Sequence, residues 1–374
     1  MRNSTKLLIV TLTVIIVWMG ITIFEGHAGP KPVLTVPRAS YITLFQNGDI
    51  GLVRLAYENG DYNGFFVYSR TGKELWNITF GRRLTWWDSI IAAEVSPDGK
   101  YLALLTGKKL FLLDENGTPL WNVTLNQRDL CWPCSGRLAF SPDSKVVAFA
   151  MSSHFGAYLI NGTPLVDQLS SGETVRAIAV TNDGLYVAVQ STINSTSGVR
   201  AYIFNGSKWS FFTHEGAARG ITAFENSNGT WVAFADCEGG LYLFHNGKLM
   251  WHREGCYWDV AFWKGRVYGA CNGVDIYSLN GTPIDSMLHQ VNIFTLVSTP
   301  SKLVLFEEDT FNGQTSMGVY VFNGTRVKRI MKVNGFPVKD SVSHVIVDFR
   351  NDKLIFGISN EERTEIYLIA FNSG

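Results

Sequence analysis

From residue 33 onward, apolar and polar positions alternate in short runs broken by Gly, Pro, Asn, Asp and Ser. AAEVS (92–96) and KYLALLT (100–106) flank Ser96-Pro97-Asp98-Gly99, and RLAFS (137–141) and KVVAFAM (145–151) flank Ser141-Pro142-Asp143-Ser144. Period-two alternation rich in β-branched and aromatic residues predicts strands, and breaks of this composition predict tight turns. No stretch beyond residue 30 sustains a helical period, so that part of the chain is predicted to be all-β.

One element recurs along the chain. VYSRTGKELW (67–76), LLDENGTPLW (112–121), YLINGTPLV (158–166), YIFNGSKW (202–209), YLFHNGKLMW (242–251), IYSLNGTPI (276–284), VYVFNGTRV (319–327) and IYLIAFNS (366–373) are versions of one hairpin. Their turn glycines Gly72, Gly117, Gly162, Gly206, Gly247, Gly281 and Gly324 stand 45, 45, 44, 41, 34 and 43 residues apart. That spacing belongs to β-propeller blades of four antiparallel strands, A to D, with the recurring hairpin as C and D. The last repeat, HVIVDFR, KLIFGIS and TEIYLIAFN, stops after three strands, whereas PVLTV (32–36) stands alone before the first. Residues 33–36 are therefore expected to supply the missing outer strand and close the ring, since an open sheet edge invites aggregation. The expectation is eight blades, or seven if the short repeat near 259–289 forms no full blade.

Ser-Pro-Asp-Gly-Lys-Tyr-Leu-Ala (96–103) resembles the A–B turn of WD40-like and TolB-like propellers. Thr71-Gly72-Lys73-Glu74-Leu75-Trp76 resembles part of the tryptophan-docking motif of the quinoprotein (PQQ) propellers, and Gly117 to Trp121 and Gly247 to Trp251 repeat its spacing. The resemblance spans residues 33–374 and implies architecture, because propellers host unrelated activities. The chain departs from both families: it lacks the Gly-His and Trp-Asp pairs of WD40 repeats and the adjacent cysteines of many quinoprotein alcohol dehydrogenases.

In such a blade the A–B and C–D turns share one face, and the B–C loops and D–A connections share the other. The first face collects short turns. The second collects irregular segments, where function usually sits: Trp86-Trp87-Asp88, Cys131-Trp132-Pro133-Cys134, His214-Glu215 and Glu254-Gly255-Cys256-Tyr257-Trp258 in D–A connections, and His154 in a B–C loop. Trp86, Trp87, Asp88, Trp132, His154, His214, Glu215, Tyr257 and Trp258 are thus the candidates for a binding face. The tryptophans among them either face a partner protein or sugar ring or pack between blades. Trp76, Trp121 and Trp251, at fixed strand D positions, are expected to be structural.

Leu7 to Phe24 is 18 residues without a charge, preceded by Arg2 and Lys6. This predicts a signal anchor over residues 1–24 with a linker over 25–32, placing the propeller (33–374) on the extracytoplasmic side of the cell membrane. Gly26-His27-Ala28 offers the alternative of a cleavage site. Sequons agree with export: Asn77, Asn116, Asn122, Asn161, Asn194, Asn205, Asn228, Asn280 and Asn323 are glycosylation candidates, although Asn-Gly is also a favoured hairpin turn. Lysine plus arginine balances aspartate plus glutamate at 32 each, so the charge points to no nucleic acid partner.

Export also favours disulfides among the five cysteines. Cys131 and Cys134 form a C-x-x-C, read as a local bridge or a metal half-site. For the second bridge Cys256 with Cys271 is preferred, with Cys237 as the competing partner. No G-x-S-x-G, H-E-x-x-H, P-loop or calcium-loop pattern occurs, so no catalytic or metal residue is assigned. Asp88, Asp129, Glu215, Glu254 and Asp259 are the carboxylates a glycan-cleaving site would need to pair, and none is expected to do so. The leading expectation is a noncatalytic, membrane-anchored propeller that binds an envelope protein or glycan and needs no cofactor. Its rival is a quinoprotein-like oxidoreductase with PQQ and calcium, as the docking-motif resemblance implies.

Overall fold

Each alternating run hydrogen-bonds antiparallel to the run that follows it, so the strands gather into local sheets. The computed structural model describes residues 31–37, 39–54, 64–79, 89–125, 136–151, 154–169, 173–182, 184–193, 196–205, 208–215, 218–311, 314–337, 345–350, 353–359 and 363–371. The chain divides into two units, Met1–Lys31 and Pro32–Gly374, and the strands belong to the second. The apolar segment 7–24 lies outside the described residues, and among those no helix is long and apolar enough to cross a membrane.

Five four-stranded sheets follow in chain order. They are Ala39–Leu44, Ile50–Arg54, Gly64–Tyr68 and Glu74–Thr79; Ile90–Val95, Tyr101–Thr106, Lys109–Asp114 and Pro119–Thr124; Gly136–Phe140, Val146–Met151, His154–Leu159 and Pro164–Leu169; Glu173–Val180, Gly184–Ile193, Thr196–Asn205 and Lys208–Glu215; and Ala218–Asn226, Gly229–Asp236, Gly240–His245 and Lys248–Arg253. The sixth and seventh repeats form one six-stranded sheet of Asp259–Trp263, Arg266–Ser278, Pro283–Ser298, Leu303–Phe311, Gln314–Phe322 and Val327–Pro337. The last sheet joins Val345–Arg350, Lys353–Ser359 and Arg363–Ala370 to Leu34–Pro37.

The join in that last sheet is antiparallel, with Leu34 opposite Ile366, Thr35 opposite Glu365 and Val36 opposite Thr364. Val33 N–H adds a bond to the Ile366 carbonyl at 2.8 Å, and Ala39 N–H donates to Thr364 Oγ1 at 2.8 Å. Pro37, with no N–H to offer, ends the strand at an outer edge, where the ladder loses least. The strand expected at residues 33–36 is thus present, one residue further on at each end.

The short repeat is accommodated by sharing. Pro283–Ser298 pairs with Arg266–Ser278 through its first part and with Leu303–Phe311 through its second. Leu288 and Gln290, between the two parts, have φ of 56° and 66°, turns of the backbone that redirect one continuous strand from one repeat to the next.

Middle strands are buried and outer strands alternate. Val146–Met151 is covered along its whole length, whereas Glu74–Thr79 and Pro119–Thr124 are exposed except for half-buried residues at Trp76, Ile78, Trp121 and Val123. The core is accordingly a series of sheet-on-sheet interfaces rather than one centre. Phe65 and Val53 of the first sheet pack on Leu102 and Leu104 of the second. Leu105 and Leu112 of the second pack on Phe149 and Tyr158 of the third. Phe306 and Val319 meet Phe356 and Leu354, and Ile355 meets Leu52 and Leu44, which completes the circuit. Each such fully buried side chain is worth roughly 1.5–3 kcal/mol.

Between neighbouring repeats the outer strands are joined by tryptophan. Gly117 (φ 84°) sits so close to the Trp76 ring of the preceding repeat that a Cβ would come within 3.0 Å of it. Gly281 faces Trp251 more tightly still, at 2.8 Å, whereas at Gly162 a Cβ would stand 3.4 Å from Trp121, an ordinary contact. Trp121 Nε1 donates to the Ile160 carbonyl at 2.7 Å and Trp251 Nε1 to Leu279 at 3.1 Å, beside those same turns. At Gly117 and Gly281 the turn therefore needs glycine twice over, for its positive φ and for the ring lying on it, and at Gly162 for its positive φ. Trp76, Trp121 and Trp251 are structural, as expected.

The innermost strands are stapled by carboxylates. Asp259 accepts the Leu296 N–H at 2.8 Å and its own neighbour Val260 N–H at 2.8 Å, and Asp348 accepts the Leu44 N–H at 2.7 Å. Gly220 leaves the room that Asp259 needs, since a Cβ there would meet Oδ1 at 2.7 Å. Loss of water pushes the Asp259 carboxyl up to about 6, against the two N–H bonds that favour its ionised form.

Two outcomes follow for stability. Gly281→Ala and Gly265→Ala both place a side chain at positive φ, but Gly265 has open space around it. Thermal or denaturant unfolding should show Gly265→Ala losing about 1 kcal/mol and Gly281→Ala about 1–3 kcal/mol more; equal losses would dismiss the docking account. For Asp259, the folded protein holds its proton more tightly than the unfolded chain does, so this contribution is full below the unfolded value near 4 and is lost as pH rises through about 6. Melting curves should show Asp259→Asn gaining on the parent by up to about 3 kcal/mol between pH 4 and pH 7; a pH-independent offset would contradict it.

Candidate functional site

The connection Glu254-Gly255-Cys256-Tyr257-Trp258 leads from strand Lys248–Arg253 into Asp259–Trp263, on the face of B–C loops and D–A connections. Gly255 has φ 147°, and a Cβ there would press within 3.0 Å of the Tyr257 ring. The segment is held at two points: Tyr257 N–H donates to the Asp236 carbonyl at 3.0 Å, and Trp258 N–H to Ala270 at 2.8 Å. It is thereby tied to strand Gly229–Asp236 of the fifth repeat and to strand Arg266–Ser278 of the sixth.

Held so, its side chains alternate. Tyr257 points inward (3% exposed), into space left by Gly269. Its hydroxyl donates to Asp275 Oδ2 at 2.9 Å and lies 3.1 Å from the Tyr277 hydroxyl. Burial, then these two partners, push its ionisation far above the usual phenol value, so it remains a neutral donor. Trp258 points outward (38% exposed), with the Arg219 guanidinium 4.6 Å from its ring centroid. This is a cation stacked on an exposed indole, a surface suited to recognising another macromolecule.

Beside it stands a group of cysteines. Cys237, in the turn after Gly229–Asp236, brings its sulfur to 2.7 Å from Cys256. That turn is shaped by buried Asp236, whose Oδ1 accepts the N–H groups of Glu238 and Gly239 at 2.7 and 2.6 Å. Cys271 is near enough to act electrostatically on Cys256. Burial, hydrogen bonding with Cys237 and the charges of Cys237 and Cys271 push the Cys256 thiol up to about 12, with Arg219 opposing. All three are partly exposed.

The other sequence candidates fall elsewhere. His154 is buried (3% exposed), opening strand His154–Leu159 instead of presenting to solvent: its Nε2 bonds Asp167 Oδ1 and its ring meets Phe149 edge-on. His214 and Glu215 are the last residues of strand Lys208–Glu215 rather than of a free connection. Trp86, Trp87, Asp88, Asp129, Cys131, Trp132, Cys134 and Asn194 lie outside the described residues. Glu254 is exposed, and Asp259 is engaged by backbone N–H groups. Asn77, Asn116, Asn122, Asn161, Asn228, Asn280 and Asn323 are exposed, and Asn205 ends strand Thr196–Asn205. Asn77 and Asn122 sit on outer strands rather than in turns.

Arg219 and Asp275 are members of this site that the motifs did not mark. Arg219 lies in the innermost strand Ala218–Asn226, where a charge at the strand's start is a visible signal without a visible partner. Among the described residues, no group of three or more His, Cys, Asp or Glu side chains is arranged to hold a metal ion.

No family model and no curated protein matches the chain. Solved structures do. BamB from Moraxella catarrhalis superposes with a TM-score of 0.57 at 15% identity, covering 90% of this chain and 99% of that one. The Dos1 propeller gives 0.60 at 12%, covering 90% and 95%, and the WD40 domain of SCAP from fission yeast 0.51 at 11%, covering 92% and 98%. Together with the circuit of antiparallel sheets, these likenesses establish that residues from Pro32 onward fold as a β-propeller.

Proposed function

We propose that this chain is a noncatalytic, membrane-anchored propeller that binds a protein partner in the cell envelope through the face carrying Trp258. The observation behind this reading is the exposed Trp258 with Arg219 stacked on it, held rigidly by backbone bonds to two repeats. Trp and Arg are the side chains that most often carry binding energy at protein interfaces. Export is supported by the charge-free run 7–24 behind Arg2 and Lys6, and by the sequons. Carbohydrate on the exposed asparagines of the A–B and C–D turns would leave the opposite face as the one open to a partner.

In this reading the ring has eight blades. The sixth is completed within Arg266–Ser278, where Gly273 at φ 127° folds second strand into third, and within the first part of Pro283–Ser298. No cofactor is invoked.

The test is native mass spectrometry of the protein purified from its own membranes, parent beside Trp258→Ala and Arg219→Ala. Both variants should keep their melting temperature and remain with the membrane fraction, while the co-purifying protein falls at least tenfold, about 1.4 kcal/mol. Undiminished partner in both variants would refute the face assignment. A tightly bound quinone with calcium would establish the quinoprotein reading in its place.

A further inference from the structure

We infer that Cys237, Cys256 and Cys271 form a disulfide site in which Cys237 bridges to Cys256, with Cys271 as a third thiol to which the bridge can pass. The placement follows from backbone geometry. Tyr257 N–H on the Asp236 carbonyl sets Cys256 beside Cys237, and Trp258 N–H on Ala270 sets the same segment beside Cys271. Cys256 is thus central and the other two flank it, one from each neighbouring repeat. Of the two, Cys237 has its sulfur at 2.7 Å, inside the van der Waals separation of two sulfurs, so closure needs little movement. All three are partly exposed, which lets an oxidant or a thiol catalyst reach them.

The chemistry balances simply. Oxidation removes the hydrogens of the Cys237 and Cys256 thiols, forms the S–S bond, and passes two protons to solvent and two electrons to an external disulfide- or quinone-class oxidant. Exchange needs no further oxidant. The Cys271 thiolate attacks Cys256 Sγ, forms the Cys256–Cys271 bond and expels Cys237 as thiolate, which takes a proton from water. The bridge therefore moves between the turn of the fifth repeat and the strand of the sixth, with Cys256, two residues from Trp258, as its fixed end.

Peptide mapping of the full-length protein decides this, after equilibration in glutathione redox buffer and trapping of free thiols with an alkylating agent. The expected product is a Cys237–Cys256 linked peptide with Cys271 alkylated, and a thermal midpoint roughly 5 °C above that of the reduced protein. Cys237→Ser should move the link to Cys256–Cys271, Cys271→Ser should leave it in place, and Cys256→Ser should abolish linkage and leave both flanking thiols alkylated. Three alkylated thiols under oxidising buffer, a predominant Cys256–Cys271 link in the parent, or a Cys237–Cys271 link in Cys256→Ser would each overturn the inference. The map is independent of anchoring and of partner binding, so its failure leaves the proposed function standing, and the reverse.

Discussion

The middle strands of these sheets are apolar on both sides, and that constraint governs the rest of the molecule. A sheet buried on one face can end a stack with its polar side out. A sheet whose second and third strands are covered along their whole length, as Val146–Met151 is, cannot. Every repeat needs a neighbour on each side, and only a closed circuit gives all of them two. The N-terminal strand pairing with Arg363–Ala370 and the packing of Ile355 on Leu52 are the form that closure takes.

Local devices serve the same circuit at different radii. Asp259 and Asp348 join innermost strands by accepting an N–H from the next repeat. At the periphery, Trp76, Trp121 and Trp251 lie on the glycine of the next turn. In the sixth repeat, whose outer strand has no tryptophan, Trp263 lies near Gly324 and donates Nε1 to the Thr299 carbonyl at 2.8 Å. The inner contacts are hydrogen bonds to carboxylates, and the outer ones combine a flat ring on a glycine with an indole N–H bond to a carbonyl, so neighbouring blades are tied at both radii.

Much of this was legible in the chain. The 40-odd-residue period, the Gly-to-Trp spacing and the orphan strand near residue 33 are properties of a repeat, and a repeat displays its neighbours' needs in its own letters. The site was less legible, because its geometry depends on backbone bonds between segments that no spacing connects. Cys237 and Cys271 occupy matching positions in successive repeats, and sequence favoured Cys271, yet the Tyr257–Asp236 bond carries Cys256 toward Cys237. Tyr257 and Trp258 are adjacent aromatics with opposite fates, decided by the room at Gly269 and the cation on Arg219. His154 reads as a loop residue because Ser152-Ser153 precedes it, but a strand begins at it and draws the imidazole inward.

The closing strand also sets an order of events. Leu34–Pro37 leaves the ribosome long before Arg363–Ala370, its partner in the last sheet, is made. Until both are made the nascent chain holds an open arc whose end sheets each lack a neighbour, so apolar faces stay exposed through the synthesis that separates the two strands. Closure waits on a pairing between strands far apart in sequence, whose loop entropy must be met before the contact repays it. A pull on the chain ahead of Leu34 is borne first by that four-residue ladder, so the seam is where such a load enters the ring.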